Sequence, residues 1–516
     1  MTPSWLSAIP VFIVISITFA TQQLNMALII GIALAALITA NWQFLLALNI
    51  LKTYIINQLS SLDSWYLYGF LIILPSLIDL FIQTGSATAF ALMITKKIKS
   101  KRGIQFASII TSCALAIDDY LSIITTGHVI RSLTDQVGIP RVKLAYLIHA
   151  LSGNVVILVC FSSWVATLTN YLKLAGVGKN HLVTTEPFAL YIQSIPFMAY
   201  PILTIIAVFT IVYYKISFGT MKKEEDKNIQ FTAFTNEPTE SQGKARYLFA
   251  PLLLLLSLIV GSILYYGDCF IFGGEKSIFE AFTSNTNIFF ILFFASKITF
   301  LLTISYYLHA KISSCKSIIK AITHSFQLMK SVLLMIFLVA VFSSLLRSEL
   351  GTGIYFANIA VNHITLPWMP AIFFILATVI AFSTGTSWGT FGLLLPIGIP
   401  MIVQMNNLTT GTEALAIPLL CPTIGAIFSG ALCGDHLSLF SETTAMSAAA
   451  VQVKPIDHFW TQLPYGIPVI IGSLLFFILS GVFYDISLWK SFIINQTIAI
   501  TIVILLLHGL HNYKIQ

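Results

Sequence analysis

The stretch GALCGDHLSLFSETT, Gly430 to Thr444, places Asp435, His436, Glu442 and the hydroxyls of Ser438, Ser441, Thr443 and Thr444 close behind the apolar run AIPLLCPTIGAIF. A carboxylate at the centre of a bilayer costs at least about 2.5 to 3.5 kcal/mol. Acids kept in such surroundings therefore point to a function, provided the surroundings are those of a membrane.

Composition supplies that condition. Of 516 residues, 57% are hydrophobic and 9% are charged, and mean hydropathy is +0.89, whereas soluble domains carry about 25% charged residues. Apolar runs long enough to cross roughly 30 Å of hydrocarbon recur from Trp5–Thr21 to Phe492–Leu507. Counting interrupted segments, they predict an all-α polytopic membrane protein of about eleven to thirteen transmembrane elements. The first run has no basic residue before it, so it reads as a span and not as a signal peptide. The net charge of +7 describes loop placement and gives no reason to expect nucleic acid. The six cysteines are scattered without C-x-x-C spacing and read as packing residues.

One segment, residues 215–246, is polar and aperiodic. It reads as a cytoplasmic linker loop between an N-terminal transmembrane half (1–214) and a C-terminal one (247–516). The basic loops KKIKSKR (Lys96–Arg102) and RSLTDQVGIPRVK (Arg131–Lys143) are placed in the cytoplasm by the same rule. Between them lie only residues 103–130, too few for the roughly 40 that two helical crossings need. That segment is expected to enter the membrane and turn back near Asp118 and Asp119. Irregular backbone at such depth survives only when buried in protein or lining a cavity.

The halves also echo one another. TGSATAF (Thr84–Phe90) resembles TGTSWGTF (Thr384–Phe391), and ALAIDDYLS (Ala114–Ser122) resembles ALCGDHLS (Ala431–Ser438). Repeats with interrupted apolar segments at matching places point to a secondary transporter whose site lies between them. The candidate acids are Asp118, Asp119, Asp435 and Glu442; the candidate hydroxyls are Ser438, Ser441, Thr443, Thr444, Thr386 and Ser387. Carboxylate, hydroxyl and unwound carbonyl oxygens suit a hard cation such as sodium. A buried acid holds either a proton or such a cation, so the two compete. His436 could tune Asp435 or bond a carbonyl, His149 could be a satisfied helix residue, and Lys297 could be a counter-ion or snorkel to the interface.

The motifs GTSWGTFG, GALCGDHLSLFSETTAMSAAA, PIDHFWTQLPY, SKRGIQ, LGTG and DDYLSIITTGHVIRSLTDQVGIPRVKLAYLI together resemble the NhaC family of sodium/proton antiporters, from about Trp65 to Pro464. The resemblance implies an inverted-repeat carrier with re-entrant hairpins or broken helices. It places function on Asp118, Asp119, Asp435 and the cluster Ser438–Thr444. The chain departs from the family pattern in four places. Leu439 replaces a proline and Glu442 an aspartate, while His149 stands where relatives have an acid and Asn154 where they have a proline.

The function expected is sodium/proton exchange by alternating access, in the bacterial inner membrane and without a cofactor. The partners expected are the transported ions, the lipid bilayer and a second copy in a homodimer. The alternative is a sodium- or proton-coupled carrier of a small organic solute, with Trp164, Trp388 and His149 lining a larger pocket. An enzyme is not expected, since the chain has no H-E-x-x-H and no Cys-His metal spacing.

Overall fold

The computed structural model describes residues 4–512 apart from 22, 96–97, 99, 180, 228–242, 284–286 and 409–410. Nine helices among them are long and apolar enough to cross a membrane, and a bent pair makes a tenth. With the two shorter apolar helices at Trp5–Thr21 and Leu24–Thr39, the chain reaches the expected number of membrane elements. Large apolar side chains such as Leu45, Leu301, Ile375 and Leu505 face outward. On a chain of this composition such a surface belongs against lipid, and the multi-pass membrane class follows.

Four helical breaks position the site. Helix α1 (Lys101–Ala114) stops at Leu115, and α2 (Asp119–Val137) starts after Asp118. Asp118 makes the break because its extended backbone cannot continue a helix, while its carboxylate accepts from the Leu121 amide at 3.0 Å as an N-cap. Ser122 Oγ donates to the Ser112 carbonyl at 3.0 Å, joining the two arms. Lys101 Nζ donates to the Gly138 carbonyl at 3.4 Å, so both mouths open at one end of the molecule. The hairpin expected of residues 103–130 is therefore present. Next, α3 (Arg141–Val156) and α4 (Val165–Leu174) flank an irregular stretch. Its Ser163 amide donates to the Ile117 carbonyl at the hairpin tip, 2.8 Å away.

The C-terminal half repeats this plan. Helix α5 (Met369–Thr384) turns through Gly385, at φ +66°, into α6 (Ser387–Met405). A side chain at Gly385 would start 2.6 Å from the Phe440 carbonyl oxygen as well as facing a left-handed backbone, so the turn requires glycine. Helix α7 (Leu420–Leu437) and α8 (Glu442–Val451) are bent by 46° across Ser438–Ser441. Asn406, just past α6, donates to the Pro418 carbonyl just before α7; α7 runs parallel to α5, with Gly430 against Phe374 and Gly434 against Thr378, so this hairpin also returns to its own end.

Helix α9 (Pro455–Val482) shows that the two hairpins enter from opposite ends. Its start lies beside Gln452, which meets Arg141 at the mouth of the first hairpin. Near its far end, Gly481 lies directly against the Pro367 carbonyl, just ahead of α5. A hairpin followed by a broken span thus occurs twice in inverted sense, as expected of the fold. The register of the sequence echo needs correction, however. It pairs the first hairpin tip, at Asp118, with the broken span at Asp435, whereas the structural counterpart of that tip is Gly385–Ser387. The Thr84–Gly85–Ser86 turn shares φ +66° at its glycine, but it lies against Gly243 and Tyr307.

The polar linker also differs from expectation. Gly219–Asp226 is helical and docks on α3 and α9. Met221 is buried there, Glu225 pairs with Lys143, and Thr220 Oγ1 donates to the Trp460 carbonyl at 2.6 Å. Anchors of this kind carry no periodicity in so short a segment. Residues 228–242 of the expected linker lie outside the described residues.

Candidate functional site

Three helices begin at one level: α2 after Asp118, α6 after Thr386 and α8 after Ser441. Each N-cap side chain accepts a free amide of its own helix, and the positive helix starts favour carboxylates near them. This is a physical reason for acids at Asp119 and Glu442, the first residues of α2 and α8. Helix α7 ends among these starts and carries Asp435 one turn before its break.

Asp435 is half-buried and held from both sides. Ser387 Oγ donates to one carboxylate oxygen at 2.7 Å and Ser441 Oγ to the other at 2.5 Å. Ser387 comes from the hairpin tip and Ser441 from the break in the neighbouring span, so any relative motion of the two elements alters this grip. From Ser441 the contacts continue to Thr443 at 2.7 Å and from Thr443 to His149 Nε2 at 3.0 Å. His149 Nδ1 meets Gln462 Oε1 at 2.9 Å and His458 Nε2 at 3.0 Å. Gln462 Nε2 donates to the His436 carbonyl, and His436 Nδ1 pairs with the Tyr200 hydroxyl at 2.8 Å. His149, His436, His458, Gln462 and Tyr200 are all buried.

The other acids form a second group. Asp118 and Asp119 are buried, and Trp164 Nε1 donates to Asp119 at 3.4 Å. The Glu442 carboxylate meets the Tyr120 hydroxyl and lies within electrostatic range of both Asp119 and Asp435. Glu442 itself is exposed, unlike the two aspartates. Trp164 packs against Trp388 with ring centroids 4.6 Å apart and ring planes tilted by 52°, which ties α4 to α6 beside the acids.

Several candidates have other tasks. Ser438 Oγ donates to the Phe382 carbonyl at 2.6 Å and Thr444 Oγ1 to the Ser438 carbonyl at 2.7 Å, so both brace the break instead of facing Asp435. Thr386 caps α6. Asn154 Nδ2 donates to the Ala150 carbonyl of its own helix at 2.9 Å. Lys297 is exposed on the outer face of its helix, with Phe293 and Phe294 each 5.7 Å from its ammonium, so it does not act there as counter-ion to an acid. Conversely, sequence reasoning passed over Tyr200, His458 and Gln462. The last two stand four residues apart in an apolar helix, a spacing that puts both on one face, and that polar pair was the available signal.

Hairpin tips meeting broken spans, with oxygen ligands and acids at their junction, define a secondary carrier of the inverted-repeat kind. The comparisons agree. Residues 155–482 match the Na+/H+ antiporter family, and the chain belongs to that family. An uncharacterized protein of Haemophilus influenzae is 27% identical over 491 residues, covering 93% of this chain and 91% of that one. The malate-2H+/Na+-lactate antiporter of Bacillus subtilis is 35% identical over 120 residues, 22% of this chain and 23% of its own. Among solved structures, the YdaH transporter of Alcanivorax borkumensis shares the fold with a TM-score of 0.54. It is 13% identical, over 85% of this chain and 89% of that one.

Proposed function

We propose that the chain exchanges sodium for protons by alternating access across the bacterial inner membrane, with Asp435 as the acceptor for which the two ions compete. The observation that carries this reading is a count of hydrogens. The Gln462 amide donates to a carbonyl, which can only accept, so its oxygen faces His149 and requires a hydrogen on Nδ1 of that ring. Three contacts then run in series: His149 Nε2 to Thr443, Thr443 to Ser441, and Ser441 to Asp435. The two hydroxyls supply two hydrogens. The third sits either on Asp435 or on His149 Nε2, and passing between those states reverses all three bonds. As drawn, the network holds one proton beyond the ionised aspartate and neutral ring.

A sodium ion at Asp435 would find the oxygens of Ser387 and Ser441 already beside it, and its charge would expel that proton. Because the ligands come from a hairpin tip and a broken span, the loaded site is held together by contacts between the two elements. Emptying the site loosens those contacts, which couples occupancy to the side that the site faces. His149, standing in place of the acid common in relatives, keeps a proton acceptor there while removing a negative charge. The basic loops Lys101–Arg102 and Arg141–Lys143 mark the cytoplasmic end.

The test is sodium addition to everted vesicles holding an imposed pH gradient. Sodium should collapse the gradient and Asp435→Asn should abolish the response at equal expression. A wild-type protein indifferent to sodium would reject this reading in favour of an organic solute.

A further inference from the structure

Helices α4 and α6 run side by side from the Trp164–Trp388 contact toward the end opposite the basic loops. Twelve residues further along each, or about 18 Å at the helical rise, the seam opens into a cavity of about 410 Å³ between Gly176 and Pro400. Arg347 lines it, half-buried in a single π-helical turn, Leu346–Leu350, at the end of the helix Cys315–Leu345. Such turns are rare and often mark functional positions. Gly176, at φ +98°, lets the guanidinium approach, since a side chain there would start 3.3 Å from Arg347 Nη1.

Among the described residues Arg347 makes no ion pair, whereas its neighbours do. Lys173 pairs with Asp63 at 2.5 Å and Lys179 with Glu186 at 4.0 Å. His181, on the loop after α4, lines both this cavity and an adjoining one of about 340 Å³. Burial, then the charges of Arg347 and Lys173, hold its imidazole below the ordinary range. Ser348 also lines the cavity, and the apolar part of its wall comes from Leu182, Ile354, Pro396 and Pro400. A half-buried guanidinium with no counter-ion among the described residues repels sodium and attracts an anion, and its planar fork matches a carboxylate. The apolar wall suits a hydrocarbon body better than an inorganic ion.

We propose that this cavity is a binding site for a small organic monocarboxylate, with its carboxylate on Arg347 and His181 and its apolar body on the proline wall. The site lies at the mouth of the seam above the acids and is separate from the cation site. The anion would relieve the unpaired charge there, and protonating His181 would add a second positive group facing it. Binding should therefore tighten as pH falls below the usual imidazole value of about 6.5.

Butyrate is the probe, titrated calorimetrically into the detergent-purified full chain. Saturable binding is expected, stronger than that of butanol or phosphate. Arg347→Gln should weaken it at least about tenfold, as loss of a charge-assisted bond does. His181→Glu, at an exposed position that leaves the fold intact, should also weaken it, and Asp435→Asn should leave it unchanged. The proposal is overturned if wild type does not bind butyrate, if butanol or phosphate binds equally well, or if both cavity variants bind like wild type. Loss of binding in Asp435→Asn would overturn it too, by moving the ligand to the lower site. None of these outcomes bears on sodium-driven collapse of a pH gradient, which tests the exchange reading separately.

Discussion

Gly434→Ala should impair sodium binding although Gly434 touches no ion. Gly430 and Gly434 form the face by which α7 lies against α5. A Cβ at Gly434 would start 2.3 Å from the Thr378 carbonyl oxygen and 2.5 Å from the Phe382 amide nitrogen. Ordinary carbon–oxygen contact is about 3.3 Å or more, so α5 must retreat by roughly 1 Å. Overpacking of this kind costs about 1 to 3 kcal/mol. The retreat carries the Gly385–Ser387 turn with it. Ser387, now 2.7 Å from Asp435, would stand at roughly 3.7 Å, past the limit of a hydrogen bond. Loss of a bond to a charged group costs about 1.5 to 3 kcal/mol, or roughly ten- to a hundredfold in affinity. The measurement is the sodium concentration for half-maximal collapse of the pH gradient, alongside thermal unfolding of the purified protein. Gly509→Ala, where an added methyl meets nothing within 4 Å, is the control. Wild-type half-saturation and stability in Gly434→Ala would refute the reasoning that close helix packing sets the geometry of the Asp435 site.

Thr443→Val keeps the side-chain shape but interrupts the series between Asp435 and His149; proton-coupled flux should fall by roughly 10²-fold and Thr443→Ser should restore it, while sodium–sodium exchange persists. Equal loss of both exchange modes would show a packing role instead. Ser438→Ala removes the brace to Phe382, so unfolding should come about 0.5 to 1.5 kcal/mol sooner with no change in half-saturating sodium; a shifted half-saturation would return Ser438 to the coordination sphere. Lys297→Gln should transport like wild type, and a variant with altered pH dependence would contradict its place on the outer face.

Much of the scaffold could be read from spacing. The shortage of residues between two basic loops required a hairpin at 103–130, and a polar cluster after an apolar run marked the break at Ser438–Ser441. The hydroxyls that grip Asp435 were among the candidates for the same reason, since Ser387 and Ser441 stand at turns where helices cannot continue. Spacing failed at the repeat register. Short motifs carry no direction, and Thr84–Gly85–Ser86 shares the backbone conformation of Gly385 while facing a different part of the molecule. It left Lys297 open between counter-ion and snorkelling, because a charge in an apolar helix has a face that one-dimensional hydropathy does not report.

By itself the amino-acid order determined the solvent this chain lives in, its all-helical class and the places where helices must stop. Those properties follow from local composition and backbone preference, which need no knowledge of distant neighbours. Only tertiary structure decided which stops meet. Asp435 joins Ser387 from 48 positions away and His149 joins His458 from 309, because close packing of α5 on α7 and of α3 on α9 brings those residues together. A hydrogen count, or the place of Arg347 in a cavity, exists only once such neighbours are in place.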